Sequence, residues 1–279
     1  MLQNRLIHKY LCFILLGIVL LSSASCSKFR KIQKSDDWKV KYDAAVNYYE
    51  RGGRGDYYKA AVLFEEVLPL IRGSKEAEKA QFYYAYAHYY QQQYILSAHY
   101  FKTFYETYSR SEQAQEAMYM HAYSLYLTSP VIDLDQTSTH EAIQAMQTFL
   151  NRYPNSQYLD DGTKIIDQLR AKLEAKAFEN AKLYQKLGRY KAALVAYDNF
   201  ENDFPGSEKT EEVKFLKVLV QYQYAKESTL RKQEERFNAT IDYYRDFIDN
   251  YPESQYAKEA EQMYVSSLSS LEKLNENNL

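Results

Sequence analysis

The chain has 279 residues, of which 46% are apolar and 16% aromatic, with 35 basic against 37 acidic residues and a net charge of −2. So much apolar surface excludes an intrinsically disordered chain, and the near balance of charge excludes a nucleic-acid footprint. Eight Gly and five Pro are few, and Ala, Leu, Glu, Lys and Gln are abundant, which favours an all-helical protein of one large or two ordinary domains.

Met1–Lys9 carries Arg5 and Lys9, Tyr10–Leu21 is a 12-residue apolar run, and Ser22-Ser23-Ala24-Ser25 leads into Cys26. That is the layout of a secretory signal, and its apolar run is shorter than the roughly 20 residues that span a bilayer. The segment resembles a bacterial lipoprotein signal, with Ser23 standing where such signals usually carry Leu. Cys12 leaves with the signal, so Cys26 is the only thiol of an exported chain and no intrachain disulfide can form. Acylation of Cys26 is the expectation. Residues 1–25 read as signal peptide and 26–37 as a lipidated tether, basic over Ser27–Lys34. No acidic run follows Cys26, so the expected side is the periplasm.

Four related turns then punctuate the chain: Tyr108-Ser109-Arg110-Ser111, Tyr153-Pro154-Asn155-Ser156, Phe204-Pro205-Gly206-Ser207 and Tyr251-Pro252-Glu253-Ser254. An aromatic residue closes one helix, Pro cannot continue it, and Ser offers an oxygen to the N–H groups of the next first turn. The aromatic residues recur at intervals of 45, 51 and 47, the mark of stacked helical hairpins. Expected pairs are Trp38–Arg51 with Tyr57–Ile71, Lys75–Gln91 with Tyr94–Tyr108, and Glu112–Leu127 with Thr139–Tyr153. The first has an insertion at Gly53-Arg54-Gly55, and the third a long loop, Thr128–Ser138. A continuous helix from Gln157 to Leu187 follows, interrupted only by Gly162, then Glu208–Lys226 with Arg236–Tyr251 and an exposed charged linker at Glu227–Glu235. Gln255–Leu274 caps the array. The expected organisation is residues 38–155 as repeats one to three, 156–274 as repeats four and five with the long helix and the cap, and 275–279 as a frayed tail.

The fourth hairpin places Ala181, Tyr184, Gly188, Tyr190, Ala193, Tyr197 and Pro205 at the spacing of a tetratricopeptide repeat with no gap, and Ala45, Tyr48, Gly52, Tyr57, Ala60 and Phe64 match in the first. The fold expected is therefore all-α, a superhelical solenoid of about five tetratricopeptide hairpins with a C-terminal capping helix. With Cys26 ahead of five hairpins, Met118-Tyr119-Met120, Asp135-Gln136, the six residues Tyr153–Tyr158 and the helix ending at Gly188, the chain resembles the BamD family, the lipoproteins of the bacterial β-barrel assembly machinery. The resemblance implies a scaffold anchored in the outer membrane and facing the periplasm. It would bind the barrel-forming core protein through that partner's periplasmic domains, nascent outer membrane proteins and other assembly lipoproteins. A periplasmic lipoprotein coordinating envelope or peptidoglycan assembly, and a glycan-binding nutrient-uptake lipoprotein, are the alternatives.

Enzymatic motifs are missing: no His-Glu-x-x-His, no Gly-x-Ser-x-Gly and no phosphate-cradling glycine loop. His88, His99, His121 and His140 show no metal-ligand spacing, so the expectation is no enzyme, no metal and no cofactor beyond the lipid on Cys26. The useful surface is aromatic. Repeat register places Phe82, Tyr86, Tyr89 and Tyr90 of the second hairpin with Tyr119, Tyr123 and Tyr126 of the third near a face that suits an extended peptide. The same rings also serve as plain packing between hairpins, and both readings stand. Among cations, Arg189, Arg231, Lys232 and Arg236 are candidates for the core partner, against the ordinary role of a solvated helix end.

Overall fold

The computed structural model describes residues 28–276, which contain no strand. The expected signal, Cys26 and the last three residues lie outside them. Residues 28–33 form α1. Paired helices follow: α2 (Trp38–Arg51) with α3 (Arg54–Val67), α4 (Lys75–Tyr90) with α5 (Tyr94–Thr107), α6 (Ala114–Thr128) with α7 (Thr137–Arg152), α8 (Leu159–Lys186) with α9 (Tyr190–Asp203), and α10 (Thr210–Lys226) with α11 (Leu230–Asn250), before α12 (Ala257–Glu276). The expected all-α array of tetratricopeptide-type hairpins is what the described residues form.

The chain packs as two units. Unit 1 runs to Val131 and takes in Asp135–Leu169; unit 2 takes in Ile132–Leu134 and everything from Arg170. In unit 1, Ala45, Ala60, Ala85, Ala117 and Ala142 are fully buried and let helices approach, while Phe64, Phe101, Phe104 and Phe149 fill the space beside them. In unit 2, Ala181 and Ala193 alternate with Tyr197, Phe200 and Phe247 in the same way. Burying each such ring is worth roughly 1.5–3 kcal/mol. Close approach also explains Gly162 in α8: a Cβ there would meet Met146 Sδ and Leu150 Cδ2 of α7 at 3.0 Å.

Two local expectations are corrected. The glycine insertion is absorbed into the fold, because Gly52 and Gly53 alone make the turn with φ of 75° and 92°. Arg54 already opens α3, whose first turn holds Asp56 against Arg51 at 2.7 Å. The charged linker after α10 is likewise mostly helix: α11 starts at Leu230, with Lys232 paired to Glu235 at 2.6 Å and Gln233 Nε2 donating to the Lys226 carbonyl at 3.3 Å. The long loop before α7 folds around Gln136, which is buried, donates to the Val131 carbonyl at 2.9 Å and accepts from Thr139 Oγ1 at 2.7 Å.

Candidate functional site

The turns between hairpins dock as well as punctuate. At each of the four, the serine Oγ accepts the N–H two residues on, at 3.0–3.2 Å. At three of them the serine also reaches the preceding hairpin. Gln115 donates to Ser156, Ser207 donates to Glu174, and Ser254 donates to Glu211. One helical turn beyond each of those partners stands a ring: Tyr119, Phe178 and Phe215. Tyr119 stacks on Tyr158 at 4.1 Å and 7°, and Phe215 stacks on Tyr256 at 4.6 Å and 10°. The middle turn has Lys209 where the others have Tyr, and its ammonium lies 5.0 Å from the Phe178 ring centroid. The motif thus carries a hydrogen bond and a ring contact that set the spacing of successive first helices.

Unit 1 also presents an aromatic face, on its second and third hairpins. All seven residues singled out from sequence belong to one connected set of rings. Phe82 meets Tyr86 at 5.1 Å, Tyr86 meets Tyr89 and Tyr90, Tyr89 meets Tyr123 at 6.3 Å, and Tyr123 meets Tyr119 and Tyr126 at 5.7 Å. Their exposure differs. Tyr119 is buried, Tyr90 is 44% exposed, and the other five are intermediate. The hydroxyls span hairpins: Tyr86 donates to Glu116, Tyr119 to Asp161, and Tyr126 to Gln168 Oε1 at 3.0 Å. Burial, reinforced by those carboxylates, pushes the Tyr86 and Tyr119 phenols far above their usual range. Burial also raises Tyr89, Tyr90 and Tyr123. The phenols therefore stay protonated donors.

Sequence reasoning missed the first-hairpin part of this face. Tyr49 stacks on Tyr83 at 4.0 Å, and Tyr57 stacks on Tyr90 at 4.5 Å. The missed signal was the tip: Tyr48-Tyr49 precedes Gly52 by the same interval as His88-Tyr89 precedes Gln92.

Unit 2 offers a different surface. An open cleft of about 670 Å³ is lined by Tyr184, Gly188, Tyr190, Val195 and Tyr224, with Leu183 and Leu187 exposed nearby. Of the candidate cations, Arg189 lines this cleft. Arg236 lies 3.7 Å from the centre of the Tyr224 ring, and Lys232 is held by Glu235. Among the described residues no group of three or more His, Cys, Asp or Glu side chains could hold a metal ion. No helix among them is long and apolar enough to cross a membrane.

The chain is similar to the outer membrane protein assembly factor BamD of Caulobacter vibrioides, 28% identical over 145 residues, which are 52% of this chain and 48% of that protein. It thus aligns with about half the length of that relative. It is also similar to the putative outer membrane protein assembly factor BamD of Aquifex aeolicus, 24% identical over 218 residues, 76% of this chain and 69% of that one. The outer membrane lipoprotein family YfiO matches over residues 35–197 and 188–271, nearly the whole described chain, and the protein belongs to that family.

Proposed function

We propose that the protein is a non-enzymatic scaffold of outer membrane protein assembly. Residues 1–25 are removed, Cys26 is acylated, and the lipid holds the chain in the inner leaflet of the outer membrane, facing the periplasm. The family match along residues 35–271 is the observation that carries this reading. The aromatic face of unit 1 takes unfolded outer-membrane-protein segments. Tyr89, Tyr90, Tyr123 and Tyr126 present ring area and hydroxyls, and Phe82, Tyr86 and Tyr119 back them. Aromatic-rich segments bind there by stacking, with little rotamer entropy lost by the tyrosines. The apolar cleft beside Gly188 in unit 2 seats the periplasmic domains of the barrel-forming core protein, and other assembly lipoproteins join that complex.

Purification in mild detergent followed by mass spectrometry tests the assembly role. Recovery of a large β-barrel protein with periplasmic domains is expected, and recovery of peptidoglycan enzymes alone refutes it. Labelling with a palmitate analogue should disappear in Cys26→Ala. A photo-crosslinker at Tyr90 or Tyr123 should capture barrel-derived peptides, and Tyr90→Ala should weaken peptide binding by about 1–3 kcal/mol, the range of an aromatic anchor.

A further inference from the structure

Residues 28–33 lie within the segment that reads as a tether in sequence, but they form a docked helix. Phe29 meets the Tyr48 ring edge-on at 5.9 Å, Ile32 packs on the core of the first hairpin, and Gln33 Nε2 donates to Glu66 Oε1 at 3.0 Å. Glu66 is itself held by Lys41 at 2.5 Å, so α1 rests on a fixed partner. Residues 29, 32 and 33 form one side of the helix. Lys28, Arg30, Lys31 and Lys34 occupy the other, and all four are exposed. No acidic residue lies between Cys26 and Ser35, whereas residues 35–279 hold 29 basic against 37 acidic side chains. The remainder of the chain is therefore acidic on balance, whereas this short face is basic with no acid in it and is packed against hairpin one.

We infer that this face of α1 is a contact surface for anionic phospholipid headgroups, which orients the first hairpin on the bilayer. The charge complementarity is local and the location fits, since Lys28 is two residues from the cysteine. The inference rests in part on the acyl-anchor reading: a lipid chain and a basic patch together give the two signals that stable membrane attachment needs. A basic patch on a docked helix does more than a flexible tether would. It fixes which side of the protein meets the membrane.

The test uses the chain from residue 26 onward carrying Cys26→Ser, so that no acyl chain contributes. It should sediment with vesicles containing phosphatidylglycerol and not with vesicles of phosphatidylcholine alone. Each single change, Lys28→Gln, Arg30→Gln, Lys31→Gln or Lys34→Gln, should weaken binding about five-fold, and the fourfold variant several hundred-fold. Binding should also vanish toward 1 M salt, where the Debye length falls to about 3 Å. The substituted side chains are exposed, so unchanged far-UV dichroism is expected and confirms that folding is intact. Equal sedimentation of the fourfold variant, equal binding to zwitterionic vesicles, or capture by an acidic protein with none by vesicles overturns the inference. Palmitate labelling reads acylation separately, so either reading can fail without the other.

Discussion

Between hairpins, unit 1 places phenols at its half-buried contacts and unit 2 places a buried lysine, although Lys79 also reaches Glu50 in unit 1 and Tyr190 donates to Glu227 in unit 2. In unit 1, Tyr86 reaches Glu116 and Tyr119 reaches Asp161, both through neutral donors. In unit 2, Lys217 on α10 sits between Asp198 at 2.7 Å and Glu201 at 2.6 Å, and its neighbour Lys214 spans Glu201 at 3.5 Å and Asp246 at 2.5 Å. Burial alone would lower the Lys217 pKa, yet the two carboxylates hold it above the usual lysine range. Each solution satisfies polar groups at a half-dry helix contact. They leave different surfaces behind. Phenols leave a set of neutral rings, whereas the lysine network leaves half-exposed carboxylates, Asp198 and Asp246, at the surface.

Tyr119 should be the most sensitive point of the phenol side. Tyr119→Ala removes a buried ring, its stack on Tyr158 and a hydrogen bond, so unit 1 should lose about 3–5 kcal/mol. Tyr119→Phe keeps the ring and leaves Asp161, which is exposed, to water; about 1 kcal/mol is expected. Native-state hydrogen exchange read separately in α6 and α10 measures both. Equal losses for Ala and Phe would mean that the hydroxyl, and not the stack, joins the hairpins. Next comes Lys217→Met, which takes the cation from half-exposed Asp198 and leaves Glu201 with Lys214 alone, and it should cost unit 2 about 2 kcal/mol. A loss spread equally over both units would erase the contrast.

Acid should separate the units as well. His88, His99, His121 and His140 all fall in unit 1, and the residues of unit 2 include no histidine. His88 is buried with Nδ1 2.6 Å from Gln93 Oε1 and Nε2 unpartnered, and His121 Nδ1 donates to the Ala98 carbonyl at 2.8 Å. Burial lowers both pKa values, with Lys102 adding to the effect at His121. Below the unfolded value of about 6.5, the unfolded chain binds protons that the folded unit refuses. Stability of unit 1 should then fall with falling pH, by up to about 1.4 kcal/mol per pH unit for each histidine, until the folded imidazoles themselves protonate. Unit 2 should stay flat until its carboxylates titrate. Urea midpoints for His88→Gln and His121→Gln between pH 5 and 7 check the assignment, because each change should remove its share of the slope.

How much of this was legible depends on what kind of information each feature needs. Helix pairs, the family and the long α8 were readable because period, proline and serine are local signals, and Ala181 to Pro205 match a repeat without gaps. That the seven aromatic rings form one connected set was readable from register, since hairpins place equivalent positions on one face. What was hidden is pairwise. That Tyr119 buries its ring on Tyr158 while Tyr90 stays open depends on side-chain directions across two hairpins. Lys209 stands in for a tyrosine through contact with Phe178, which no single-position pattern records. The α11 start at Leu230 was missed because the helix buries nothing before Phe237, so its first two turns carry no apolar stripe to announce them. The basic segment after Cys26 was read by charge alone, and the packing of Phe29 and Ile32 decided its conformation.

The smallest expected effects compare the hairpin tips. After α8, Gly188 takes φ 66°, with its N–H bonded to the Gln185 carbonyl and Arg189 N–H bonded to that of Tyr184, both at 2.9 Å. That is the Schellman arrangement, which requires a left-handed residue. After α4, the same two bonds form from Gln92 to Tyr89 at 2.9 Å and from Gln93 to His88 at 3.0 Å, but the left-handed residue is Gln92 at φ 64°. A side chain there costs roughly 1–2 kcal/mol, and glycine gives back part of that through its looser unfolded chain, about 0.5–1 kcal/mol. Gly188→Ala should therefore destabilise unit 2 by about 1 kcal/mol, and Gln92→Gly should stabilise unit 1 by up to about 1 kcal/mol. Opposite signs for two substitutions at equivalent tips follow only if backbone strain dominates there. A Gln92→Gly variant that also loses stability would show that the Gln92 side chain contributes more than its strain removes.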